Sequence, residues 1–555
     1  MCALHSTPAQ LPQNVLLTPP SRVRFPPVSV FHPSRRLVLG LLGASTAAFA
    51  LPVPMPARAQ SEPASFSFDA LAADAERRAG LPWVPASAQP WTTLSIDYDL
   101  YRRIYFLEDQ MRWSDGGAVR LAAYPTGWLF NRPVRLYEVK DGVAGPLDFF
   151  TRDYEFRHPE MKAAADAMGD TPFPVAGLRI NSPINHDGFD ELASFLGASY
   201  FRALGRGNVY GLSARGLVIN SWTDGEAEEF PDFTAFYVER PKEGGPLVVH
   251  AELDSPSVAG AYRFVIDAAG PSRQTTEMEV EARLFFRADV KQLGVAPMTS
   301  MYLFAEANRT GYDDYRPQVH DSNGLAVHRA SGINAWRALN NPAFPTSSWL
   351  REFNPRAFGL EQRGRSFDEY QDAGAHYERR PSLICEPLED WGDGFVRVTE
   401  SFARNETEDN IGAFWVPAEP VKAGDRRTYR YRLLWGDLPP PENGPLGYVY
   451  ETRTGHGGVS GGLPEPDSVR KFVIDFQGGP LSDAELLREG VDAFVDVSTG
   501  VIKTKAISRV EGTQRWRVAM DIDFADATLS ELRVYLISGG RQITETWLYQ
   551  WTRQQ

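Results

Sequence analysis

Cysteine is nearly absent from this chain: 555 residues contain only Cys2 and Cys385. Removal of an N-terminal leader would leave Cys385 alone, which excludes an intramolecular disulfide and a thiolate metal site. A chain this long can bury enough apolar surface without a cross-link. Long hydrophobic runs are also missing. The most apolar stretch, Leu37 to Ala50, is 14 residues and is interrupted by Gly40 and Gly43, too short to span a bilayer stably. Positive charge is in short supply as well, with 57 Lys and Arg against 71 Asp and Glu and a formal charge of −14. Residues 1–60 hold five of the arginines and no acidic residue, so the remainder sets 52 basic against 71 acidic residues, or −19. Such a surface repels phosphate backbones and anionic headgroups. It argues against nucleic acid and suits a neutral ligand, although solubility alone also explains it.

What is present begins with a leader. Ser34-Arg35-Arg36 precedes the apolar run, and Ala57-Arg58-Ala59 has the small-x-small form that signal peptidase cleaves. A paired arginine before a moderately apolar stretch predicts a twin-arginine signal peptide over 1–59, hence export to the periplasm in the folded state. An uncleaved anchor is the alternative.

Helical periodicity is scarce in the rest. Phe68 to Ala79 reads as a short amphipathic helix, and Leu481 to Arg488 as a second. Most other segments alternate: Leu94, Ile96, Tyr98 and Leu100 within Thr93–Phe106, and Met278, Val280, Ala282, Leu284 and Phe286 within Thr275–Phe286. Period-two runs punctuated by Gly, Pro, Asn and Asp predict antiparallel strands with one buried face, so the fold class is all-β with stacked sheets. Three consecutive prolines in Asp437–Pro445 cannot sit inside a sheet and mark a connector. The expected order is therefore a large β-sandwich over 60–436, a Pro-rich linker over 437–446, and a small domain over 447–555. The strand count and size of that last piece suit an immunoglobulin-like sandwich.

Several motif matches fail on inspection. Gly205-Arg-Gly-Asn-Val-Tyr-Gly211 has the wrong spacing for a dinucleotide loop and reads as a glycine-rich sheet corner. Ser213 does not sit in a nucleophile elbow, because the second glycine is one residue late. His320, Asp321 and His328 lack short metal-ligand spacing, so no metal and no other cofactor is expected. Two acidic, aromatic-rich stretches remain. One runs from Tyr312 through Tyr315, Arg316, His320 and Asp321 to Gly324, followed by Trp336; the other holds Asn405, Glu406, Glu408, Asp409 and Asn410 and leads into a strand with Trp415. Glycosidic chemistry needs one protonated and one ionised carboxyl group, and rings stack on sugar faces. Solvated acidic loops are the alternative reading.

Longer motifs bear on this choice. Ala198–Leu217, Leu253–Phe264, Lys291–Met301 and Arg316–Leu325 closely resemble the osmoregulated periplasmic glucan biosynthesis G/D family, and the resemblance runs from about Phe66 to the C-terminus. The leader favours its D branch. The resemblance implies a galactose mutarotase-like supersandwich followed by an immunoglobulin-like domain, and a role on β-1,2-linked glucan. The implied activity is an anomer-inverting endo-β-1,2-glucanase or a transglycosylase. The family's two essential aspartates match Asp321 and Asp409, with Tyr315, Arg316, His320, Trp336, Glu406 and Trp415 as candidate substrate contacts. A non-catalytic glucan-binding protein that sets backbone length or branching is the other expectation. Candidate partners are the glucan, a membrane-adjacent synthesis complex and a second copy of the chain.

Overall fold

The computed structural model describes residues 64–553 apart from 89, 243, 484 and 485, so the predicted leader lies outside the described residues. Strands dominate, as the alternation requires. A sheet of ten strands is built, in chain order, from β1 (Arg120–Pro125), β2 (Val175–Ser182), β3 (Asp190–Leu196), β4 (Tyr200–Ala203), β5 (Ser213–Arg215), β6 (Leu217–Ile219), β7 (Leu293–Ser300), β8 (Thr346–Phe353), β9 (Asp393–Glu400) and β10 (Ile411–Pro417). Its spatial order is β8-β9-β10-β7-β5-β4-β3-β2-β1, with β6 also on β7. Against it packs a 16-stranded sheet whose centre includes Leu247–Asp254, Val258–Asp267, Thr276–Phe286 and Arg426–Gly436.

The core between the sheets is aromatic. Phe195 and Phe201 stack at 5.5 Å and meet Phe264 edge-on at 5.0 and 5.1 Å. Farther along, Trp391 packs against Trp415, Tyr429 and Tyr431. Rings of this size contribute about 1.5–3 kcal/mol each on burial. The alternation in Thr276–Phe286 is realised as read: Met278, Val280, Ala282, Leu284 and Phe286 all face the core.

Two expected elements differ. Residues 93–106 are not one strand; Asp97 accepts a hydrogen bond from Leu100 N–H and starts the helical turn Tyr98–Tyr101, leaving Ile104–Phe106 as strand. A local side-chain cap thus overrides the alternating pattern. The second expected helix is replaced by two 3₁₀ turns, Gly479–Ser482 and Leu486–Glu489, the first beginning after Gly478 in a positive-φ conformation. Phe68–Ala79 is a helix as read, capped by Ser67.

After the prolines the chain makes a four-stranded sheet from Tyr448–His456, Val469–Gln477, Trp516–Asp523 and Val501–Arg509. It packs on Asp492–Val497, Leu529–Ser538 and Thr546–Thr552 through Phe472, Ile474, Val518, Met520, Val534 and Trp547. These last strands belong to the 16-stranded sheet, because Thr546–Leu548 pairs in parallel with Ala335–Arg337. The proline segment is pinned on both sides. Asp437 O accepts from Arg365 Nη2 at 2.9 Å, and Gly479 N–H donates to Glu442 O at 2.7 Å. Among the described residues no helix is long and apolar enough to cross a membrane.

Candidate active site

The site forms where β7 ends. Strand β7 pairs with β10 up to Ser300 opposite Ile411, and the chain then continues into the short strand Tyr302–Phe304. Three residues at this junction hold both acidic motifs. Asp321 N–H donates to Met301 O at 2.8 Å, and the hydroxyls of Ser300 and Ser322 are 2.8 Å apart. From the other motif, Asn410 N–H donates to Ser300 O at 3.2 Å. The Asn410 side chain accepts from Tyr302 N–H at 2.8 Å and donates to Tyr302 O and Ser401 O, each at 2.9 Å. One backbone segment therefore sets the positions of Asp321 and Asp409 together.

The electrostatics of the two carboxylates diverge. Asp321 is 4% exposed and ion-paired with Arg380. Burial raises its pKa, and the Arg380 guanidinium pulls it back down. Asp409 keeps some accessible surface as a residue, yet its Oδ2 is buried without a hydrogen-bond partner. Burial first, and then the negative charge of Asp321, push its carboxyl well above the usual carboxylate range; Arg202, Arg380 and Arg215 only partly oppose this. The charge of one aspartate is thus felt by the other, across two motifs far apart in sequence. Both carboxyls are thus pushed up, Asp409 well above the usual range and Asp321 less, because Arg380 is paired with it.

Each arginine is held against a ring. Arg380 lies 4.3 Å from the Tyr377 ring, Arg202 is 3.9 Å from that of Tyr210, and Arg215 sits between Tyr200 at 3.9 Å and Phe230 at 4.2 Å. Gly211 makes room for the first of these, since a Cβ there would come within 2.9 Å of the Arg380 side chain.

The candidate contact residues divide. Arg316 bridges Asp314, Asp372 and Glu406, each at 2.7 Å, and Glu406 also accepts from Tyr377 O–H at 2.9 Å. These two tie the Asp409 loop to the Arg380 segment at the site's rim. Tyr315 is 77% exposed beside them. The other three are packing residues. Trp415 is 0% exposed in the sandwich core, and Trp336 is buried under the Arg363 guanidinium at 3.5 Å and against Gly324. Neither ring presents a face on which a sugar could stack. His320 is equally enclosed, and burial lowers its pKa to about 3, so it stays neutral. Gln362 spends its amide hydrogens on His320 O and Tyr377 O. Its Oε1 then accepts from His320 Nδ1 at 2.7 Å, while Nε2 lies 3.1 Å from the Gln318 side-chain amide. His320 anchors Asp321 rather than touching a ligand.

Arg380, Arg202, Arg215, Tyr200 and Tyr377 were absent from the sequence reading. Each makes a ring or charge contact that only the fold brings together, which no spacing reveals. Tyr200, Arg202 and Arg215 do lie in the long Ala198–Leu217 motif, which was itself the available signal. Among the described residues no cluster of three or more His, Cys, Asp or Glu could hold a metal ion.

Comparison with known proteins places this geometry in context. The family described as "Periplasmic glucan biosynthesis protein, MdoG" matches residues 66–551. Glucans biosynthesis protein G of Cereibacter sphaeroides is 49% identical over 541 residues, covering 94% of this chain and 98% of that protein. Probable glucans biosynthesis protein D of Shewanella oneidensis is 39% identical over 472 residues, covering 83% and 84%. Similarity does not reinforce the leaning to the D branch drawn from the leader.

Proposed function

The chain belongs to the periplasmic glucan biosynthesis (MdoG) family, and from that premise we propose that it acts on the β-1,2-linked glucose backbone of an osmoregulated glucan in the periplasm. The reaction is internal cleavage with inversion, or transfer of the cleaved end to a sugar hydroxyl. One observation carries this reading: two carboxylates from distant loops share a buried site, one paired with Arg380 and one left without a partner.

Asp409 is the general acid. Its proton passes to the glycosidic oxygen as the bond from that oxygen to C1 breaks. Asp321 is the general base, taking a proton from the water or hydroxyl that adds to C1 from the opposite face. The cycle leaves Asp409 ionised and Asp321 protonated, and exchange with solvent restores both. Inversion requires room for the attacking molecule, roughly 6.5–9.5 Å between the carboxyl groups.

Incubation with linear β-1,2-glucan tests the proposal. The wild-type protein should change the chain-length distribution, and Asp321→Asn or Asp409→Asn should each lower the rate by about 10²–10⁴-fold. A fully active variant removes that residue from the mechanism. A wild-type protein that leaves the glucan untouched while binding it supports the non-catalytic role in length control.

A further inference from the structure

The face of the ten-stranded sheet that carries Arg202 and Arg215 continues well past the catalytic pair. Register links Ser213 to Thr299, Thr299 to Gly412, Gly412 to Thr399, and Thr399 to Ser347. These five small residues form one row across β5, β7, β10, β9 and β8. Thr299, Gly412 and Ser347 keep accessible surface. The row carries little side-chain bulk, and a Cβ at Gly412 would approach Thr399 Oγ1 to 2.7 Å.

At its far end stands an aromatic platform. Two residues along, register joins Phe414 to Arg397 and Arg397 to Trp349 on the edge strand β8. Trp349 is 47% exposed, and Phe353 on the same face of β8 is 65% exposed. The Trp349 ring does not swing freely. Arg397 lies 4.4 Å beneath it, and Phe395 meets it edge-on at 5.5 Å. Arg397 is itself held by Ser347 Oγ at 2.8 Å, Ser221 O and Gln292 Oε1 at 2.7 Å, and Trp222 O at 3.1 Å. A ring fixed in advance loses little conformational entropy when a ligand stacks on its open face.

We propose that Trp349 and Phe353 form a second binding subsite for the same glucan chain whose backbone the catalytic pair engages. This inference rests on the function proposed above. The occupant is neutral, because the charges here are already engaged: Arg397 by the four acceptors above, and Arg351 by a bidentate pair with Asp393. The occupant is also a polymer. Phe414 follows Asp409 by five residues and Trp349 lies two strands to the side, which puts the platform roughly 20 Å from the acid at ordinary strand spacings. Only a chain of several sugars reaches both.

Affinity electrophoresis of the full-length protein in linear β-1,2-glucan, with calorimetry on a three-sugar fragment, tests this. Trp349→Ala should weaken long-chain binding about three- to tenfold and fragment binding less than twofold, and Trp349→Phe should restore part of the loss. Unchanged long-chain affinity in Trp349→Ala, with the wild type binding normally, overturns the subsite and leaves the catalytic reading intact. Failure of the wild type to bind any β-1,2-glucan overturns both. A shift in sedimentation from dimer to monomer in Trp349→Ala, with glucan affinity unchanged, makes the platform an interface between copies and also overturns the proposal.

Discussion

Replacement of Asn410 by Ala should damage this protein in two separable ways. Its side chain makes four hydrogen bonds, two of them to the main chain of Tyr302, a residue only 1% exposed. Alanine leaves the Tyr302 N–H and C=O buried without partners, at about 1–3 kcal/mol each, so the expected loss is about 2–6 kcal/mol. That loss is a large share of a typical stability of about 5–15 kcal/mol. The same change frees the backbone next to Asp409 from the segment that also holds Asp321. A misplacement of about 1 Å at the reacting centre costs on the order of 10²-fold in rate. Urea unfolding measures the first effect and turnover of linear glucan the second. Asn410→Asp is the control: it keeps the acceptor for Tyr302 N–H but loses the amide donations, and should fall between wild type and Ala in each assay. An Asn410→Ala protein with wild-type stability and turnover within twofold of wild type would refute the idea that one strand junction sets the spacing of the two carboxylates.

Three further outcomes follow from the same structure. Arg380→Met removes the charge that holds both aspartates down, so both limbs of a bell-shaped rate profile should move to higher pH; an unmoved acid limb excludes Asp321 as the base. Because the folded-state pKa of Asp409 lies above its unfolded value, this residue stabilises the fold at low pH, and that contribution is lost as pH rises through the folded-state pKa. Asp409→Asn should therefore melt higher than wild type at pH 7, with the gap closing at pH values below the ordinary carboxylate range. Arg337 and Glu400 pair at 2.9 Å with 1% exposure on each side, so Arg337→Met should cost about 3–5 kcal/mol by leaving a buried carboxylate alone, and Arg337→Met combined with Glu400→Met should recover much of it.

How far the sequence reaches can be judged residue by residue. Met278 to Phe286 alternate because one face of an interior strand must be buried, and that pattern is local enough to read. Asp97 shows the limit: the residues after it alternate equally well, but a single side-chain cap turns them into helix. Asp321 and Asp409 were legible through the family motifs around them. Their unequal surroundings were not, since these depend on Arg380 forming an ion pair with Asp321 and acting on Asp409 only through its charge. Trp336 and Trp415 illustrate the reverse case. Aromatics beside acidic loops look like sugar platforms in sequence, yet burial is the ordinary fate of a strand Trp, and Trp349 keeps its ring half open by its position on an edge strand.

The parallel pairing of Thr546–Leu548 with Ala335–Arg337 puts this strand one place away from Gly324–His328, which pairs with the other edge of Ala335–Ala338 and begins three residues after Asp321. A polypeptide interrupted before residue 546 would present the Ala335–Ala338 edge unpaired, a template for unwanted association. That side of the sheet therefore closes only when Thr546–Thr552 has docked. The strand Thr546–Thr552 thereby seals the edge of the half of the large sheet nearest Asp321.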